Sequence, residues 1–122
     1  MFPKAKARDT KFRANVFVGV DPLTAPFRNM EFELNSVIQR LKKDFKNVKI
    51  LEKRCVEASP GHSINVIFTH THLGITLKDY IMLRIYNGKI FCLTYSASEK
   101  DYDRYIDDVT LCAQSLICGS VN

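Results

Sequence analysis

Residues 78–98 read KDYIMLRIYNGKIFCLTYSAS, and this stretch decides the fold. Asn87-Gly88 joins two apolar, β-rich runs, 78–86 and 89–96. Asn-Gly suits a type I′ turn, in which both central residues take φ > 0 and the twist of the turn matches that of its flanking strands. A β-hairpin is therefore predicted. Ser98 then opens an amphipathic segment that runs to Ile117. Ser98 and Asp101 place a hydroxyl acceptor and an acid where the first N–H groups of a helix lack partners. Beyond them Tyr102, Tyr105/Ile106, Val109, Cys112/Ala113 and Leu116/Ile117 recur at helical spacing. The end of the chain reads as a hairpin feeding a terminal helix.

Upstream, residues 14–20 alternate as a strand, with Val16, Val18 and Val20 on one face and Asn15 and Phe17 on the other. Asp21-Pro22 ends it, and Pro22 and Pro26 mark 23–26 as a loop. From Asn29 the period becomes helical: Phe32/Leu34, Val37/Ile38, Leu41 and Phe45 form the apolar stripe, with Asn29 as N-cap and Asn47 as C-terminal stop. Residues 49–58 alternate weakly, with Ile50, Glu52, Arg54 and Val56 on one side and Lys49, Leu51, Lys53 and Cys55 on the other. These mixed faces suit an edge strand. Ser59-Pro60-Gly61-His62 is a turn cluster, residues 63–71 resume as a strand, and Leu73-Gly74-Ile75-Thr76 leads into the strand of the hairpin. The order β, α, β, β, β, β, α implies an α+β fold whose sheet is an antiparallel meander with helices covering a face or an end.

The chain has 122 residues, 46% of them hydrophobic, enough for one packed core. A single domain is expected over 14–118, with a basic tail at 1–13 and a short tail at 119–122. No stretch approaches the ~20 apolar residues of a spanning helix, and no apolar leader stands near the start. The formal net charge is +5. Much of the excess lies in the first thirteen residues and in Arg40, Lys42, Lys43, Lys46 and Lys49. The second block straddles a helix end, where cations complement the macrodipole, so charge alone does not indicate nucleic acid. An RNA-binding aromatic signature, zinc-finger spacing and a helix-turn-helix pattern are all missing from the sequence, and no specific nucleic-acid partner is expected. Cys55, Cys92, Cys112 and Cys118 lack metal-type spacing and read as free thiols, with Cys92 in the core between Phe91 and Leu93. Free thiols and the lack of a leader point to a cytoplasmic protein.

The sequence offers few parts for catalysis. His70-x-His72 places two imidazoles on one strand face, a spacing compatible with a metal, but His62 lies near the far end of the same strand, roughly 25 Å away at ~3.3 Å per residue. No phosphate-cradling glycine loop is present. Neither an enzyme nor a cofactor is expected. A small-ligand or metal-binding protein using the strand-end histidines is the alternative. Surface candidates are the basic residues Arg40, Lys42, Lys43 and Lys46, together with Tyr86, Tyr102 and Tyr105 around the hairpin and terminal helix.

Three segments resemble the PsbP/DcrB-like superfamily. Residues 15–24, NVFVGVDPLT, look like its strand and proline-containing loop before the first long helix. Residues 60–68, PGHSINVIF, with 74–84 are similar to its central strands, and residues 87–115 resemble its closing hairpin and helix. The chain departs from the pattern at its start, where members carry a further strand with an aromatic, a proline and often tryptophan; tryptophan is absent here. The superfamily includes photosystem II extrinsic subunits, factors that promote nucleotide release from the GTPase Ran, bacterial lipoproteins and cytoplasmic chaperones for secreted toxins. The resemblance implies an α/β/α sandwich with a mainly antiparallel sheet flanked by helices. It also implies a non-catalytic module that binds a protein partner as adaptor, assembly subunit or chaperone.

Overall fold

The computed structural model describes residues 13–22, 29–57, 62–86 and 88–119. In chain order these form β1 (Asn15–Pro22), α1 (Met30–Asp44), β2 (Lys46–Glu57), β3 (His62–His72), β4 (Ile75–Tyr86), β5 (Lys89–Ser98) and α2 (Tyr102–Gly119). Among the described residues the five strands make one antiparallel sheet in the order β1-β5-β4-β3-β2. Strands β2 to β5 are the expected meander. Strand β1 lies beside β5, so the chain passes from one edge of the sheet to the other before β2, and α1 lies on that crossing.

Both tight hairpins depend on left-handed backbone. Tyr86 is opposite Lys89, which leaves a two-residue loop, and Gly88 has φ +73°. His72 is opposite Ile75, and Leu73 and Gly74 both take positive φ, 52° and 80°. The sequence did not mark Leu73-Gly74 as a two-residue turn, because leucine seldom occupies this region. Its side chain gains no packing there, being 87% exposed.

Helix α1 starts as expected: Asn29 accepts a hydrogen bond from the Phe32 N–H at 2.8 Å. It does not stop at Asn47. Phe45 turns extended while its N–H still reaches the Leu41 carbonyl at 2.9 Å. Asn47 instead takes φ 54° at an irregularity in β2 and donates to Thr71 Oγ1 at 2.9 Å. Met30, Ile38 and Leu41 are the buried residues of α1, whereas Phe32 is 45% exposed and off the stripe. At the other end of the chain Ser98 belongs to β5 and caps the turn before α2, its backbone oxygen and hydroxyl both accepting from the Asp101 N–H.

Alternate strand residues enter two clusters. Ile64, Val66 and Phe68 pack with Met30 and Leu41 of α1, joined by Ile81 and Leu83. Met82, Leu93, Tyr95 and Ala97 pack with Tyr102, Val109 and Ala113 at α2, joined by Ile67 and Tyr80. Neighbouring residues of a strand point to opposite sides of the sheet. Ile81/Met82 and Val66/Ile67 therefore divide between the helices. Val66, Phe68, Leu93 and Ala97 are fully buried, and each large apolar side chain removed from water contributes about 1.5–3 kcal/mol.

Two expectations need correction. The alternation expected for β2 slips because its register breaks between Ile50 and Glu52, so Leu51 is extra. Ile50 and Cys55 consequently share the α1 cluster, while Glu52 and Arg54 stand opposite Ile67 and Asn65 on the other face. Cys92 is only half-buried, since α1 packs over β2 and β3 and leaves this part of β5 uncovered among the described residues. Cys55 is likewise half-buried, and Cys112 is exposed on α2. The loop at 23–26, the turn at 59–61, Asn87, the tail at 1–12, the tail residues 120–122 and the side chains of Leu116, Ile117 and Cys118 lie outside the described residues.

Candidate interaction surface

The basic block is built by the end of α1 and the start of β2. Arg40, Lys42 and Lys43 are exposed on the helix, away from Ile38 and Leu41, and exposed Lys46 begins β2 opposite Thr71 at the sheet edge. Lys42 and Lys43 sit in the last turn, where they also complement the helix dipole. Among the described residues none of the four forms an ion pair. Lys49 and Lys53 continue the exposed basic character along β2.

The tyrosines do not form one patch. Tyr102 is 3% exposed, and its ring packs 5.2 Å from that of Tyr95 beneath the Lys78 ammonium, 4.3 Å above it. The Tyr95 hydroxyl donates to the Tyr102 carbonyl at 2.9 Å. Tyr102 is thus a core residue that ties α2 to the sheet, and burial raises the pKa of its phenol. Tyr86 is half-buried, with the Arg84 guanidinium 5.5 Å from its ring. It stands eight residues along β4 from Lys78, about 26 Å at ~3.3 Å per residue. Tyr105 is 41% exposed on α2.

The histidines separate as well. His70 is not at an exposed strand end: it is 4% exposed, continues the buried row Ile64, Val66 and Phe68, and lies under Phe45 with ring centroids 4.6 Å apart. Its Nε2 is 3.1 Å from Asp79 Oδ1, the same oxygen to which Ser96 Oγ donates at 2.7 Å. His72 is exposed and His62 is half-buried at the other end of β3. No group of three His, Cys, Asp or Glu able to hold a metal occurs among the described residues.

This buried polar chain was missed from sequence, although Asp79 interrupts the apolar row Leu77, Ile81, Leu83 and His70 extends the core row of β3. Burial raises the Asp79 carboxyl pKa, while the Ser96 hydrogen bond and His70 oppose the shift. Serine and histidine both converge on one carboxylate oxygen, so the imidazole is not interposed between hydroxyl and acid. That geometry supplies no activated serine. It satisfies a buried carboxylate and fixes β3, β4 and β5 against one another.

The described architecture defines an α+β protein of the PsbP-like fold. A Pseudomonas aeruginosa protein of unknown function, PA94, named as a candidate regulator, superposes with a TM-score of 0.65 at 9% identity, over 88% of this chain and 85% of that one. Cyanobacterial PsbP, CyanoP from Synechocystis, superposes with a TM-score of 0.57 at 9% identity, over 84% of this chain and 64% of that one. No protein-family model and no curated protein sequence matches the chain. At such identities the likeness concerns the fold. Among the described residues no helix is long and apolar enough to cross a membrane.

Proposed function

We propose that this chain is a non-catalytic protein-interaction module, an adaptor, assembly subunit or chaperone built as an α/β/α sandwich over residues 14–118. The observation that carries the reading is the basic end of α1, where Arg40, Lys42, Lys43 and neighbouring Lys46 are exposed and unengaged by carboxylates among the described residues. Exposed cations on a rigid helix and strand recognise an acidic protein surface, and their field steers its approach. Tyr86 and Tyr105 supply amphipathic rings at other points of the surface, whereas Tyr102 is reserved to the core. The division of β3 and β4 residues between two helix-bound clusters supports the sandwich. The three described cysteines are free, which suits a reducing compartment such as the cytoplasm. The two similar structures belong to a candidate regulator and to a PsbP, neither named for a reaction.

The test is affinity capture from native extract with wild-type protein and with the variant R40E/K42E/K43E/K46E, both checked for folding by circular dichroism. A specific acidic partner retained by wild type and lost by the variant supports the reading. Equal capture by both removes the basic block from it.

A further inference from the structure

The two edges of the sheet are built differently. Edge strand β2 carries Lys46, Lys49, Glu52, Lys53 and Arg54 and two register irregularities, the features with which proteins protect an open edge. Edge strand β1 reads Asn15-Val-Phe-Val-Gly-Val20 before Asp21-Pro22, with no charge over those six residues and a continuous register with β5. Val16, Val18 and Val20 are 44–51% exposed and Phe17 is 63% exposed. Among the described residues no strand pairs with its outer side. An uncharged, apolar edge with an unbroken register is a template for another strand.

We propose that β1 pairs with β1 of a second copy of this chain, antiparallel about a twofold axis at Val18, joining the two sheets into one. The strand is complementary to itself in that register. Opposite residues of an antiparallel pair share a face, so Val18 meets the partner's Val18, and Val16 meets the partner's Val20. On the other face Phe17 stands opposite the partner's Gly19. Within its own chain the Phe17 ring already lies over Gly19, with Cε2 3.1 Å from where a Cβ would be. The glycine therefore leaves room for the two rings to pack side by side at the axis. Asn15 stands opposite the partner's Asp21 on that face, twice by symmetry, an amide donor within reach of a carboxylate. Pro22, which has no N–H to give a ladder, falls outside the paired segment. A neighbouring register centred on Gly19 would bring Pro22 inside it and set Phe17 against Asp21.

Sedimentation equilibrium of the full chain over a range of concentrations tests the pairing, with V18K and V18E measured alone and mixed. Val18 is self-opposed in the proposed register, so each variant sets like charges against each other, whereas the mixture sets Lys against Glu. The expected result is a wild-type dimer, at least ~10-fold weaker dimerisation of each variant alone, and recovery in the equimolar mixture. A wild-type chain that stays monomeric at every concentration overturns the proposal and leaves the edge to a strand of another protein. A dimer that V18K and V18E leave intact overturns it too, by placing the interface elsewhere. If either variant fails to fold, the wild-type equilibrium and crosslinking of V18C across the axis decide the same question, and a dimer that V18C does not crosslink counts against it.

Discussion

Gly88→Val isolates the contribution of backbone conformation to the hairpin that closes the fold. Gly88 has φ +73° in the two-residue loop between Tyr86 and Lys89, and a Cβ placed there meets no atom within 4 Å. Crowding therefore contributes nothing, and the whole effect comes from forcing a β-branched residue into the left-handed region. That strain costs about 1–3 kcal/mol. With a urea dependence of about 1–3 kcal/mol per molar for a domain of this size, the unfolding midpoint should fall by roughly 1 M. Gly19→Ala is the matched control, because Gly19 does not need positive φ and its added methyl meets only the exposed Phe17 ring, at 3.1 Å. The ring can turn aside and alanine restricts the unfolded chain, so stability should stay within ~1 kcal/mol of wild type. Both are read from urea titrations followed by circular dichroism at a concentration where the chain is monomeric. An unchanged midpoint for Gly88→Val would refute the strained-turn reasoning.

Phe68→Ala removes a fully buried ring that packs against Phe45 and His70; a loss of about 3–5 kcal/mol is expected in the same titration, and less than 1 kcal/mol would mean that the α1 cluster collapses around the gap. Asp79 has a folded-state pKa above its ordinary value of 3.8 because of burial. Its contribution to stability is present below the unfolded pKa and is lost as pH rises through the folded one. Asp79→Asn lacks this titration, so its stability relative to wild type should improve as pH is raised above about 4; parallel stability profiles for the two proteins would contradict the assignment. Cys112 is exposed and Cys92 half-buried, so alkylation followed by peptide mapping should label Cys112 before Cys92 in the native protein, and faster labelling of Cys92 would show that the open part of β5 is more accessible than its burial indicates.

The local signals were legible where one residue type dictates one geometry. Asn29 capped α1 as its side chain required, and Gly88 took the positive φ expected of it between β4 and β5. Periodicity identified the alternation of β1 and the edge character of β2. It could not reveal the bulge at Leu51, because a one-residue slip becomes visible only when β3 provides a register. Leu73 was opaque for a related reason: the pairing of β3 with β4 imposes a conformation that leucine itself disfavours. At the candidate surface, Arg40, Lys42, Lys43 and Lys46 stand exposed together near one end of α1. Tyr102 could not be assigned from spacing, since both a core stripe and a surface stripe repeat helically. Its burial follows from how α2 rotates onto Tyr95 and Met82. His70 and Asp79 lie nine residues apart and meet only because β3 and β4 pair.

The central claim, recognition of an acidic protein through the basic end of α1, is tested most directly by measuring the dissociation constant of the captured partner for wild type and for R40E/K42E/K43E/K46E. The measurement is made at low salt and again near 0.5 M salt. Exposed charges are screened over about 10 Å at 0.1 M ionic strength and over shorter distances as salt rises. Wild type should bind at least ~10-fold more tightly at low salt, and the difference should shrink at high salt, with both proteins equally folded. Equal affinities at both ionic strengths would contradict the claim and reduce the block to a solvated helix end.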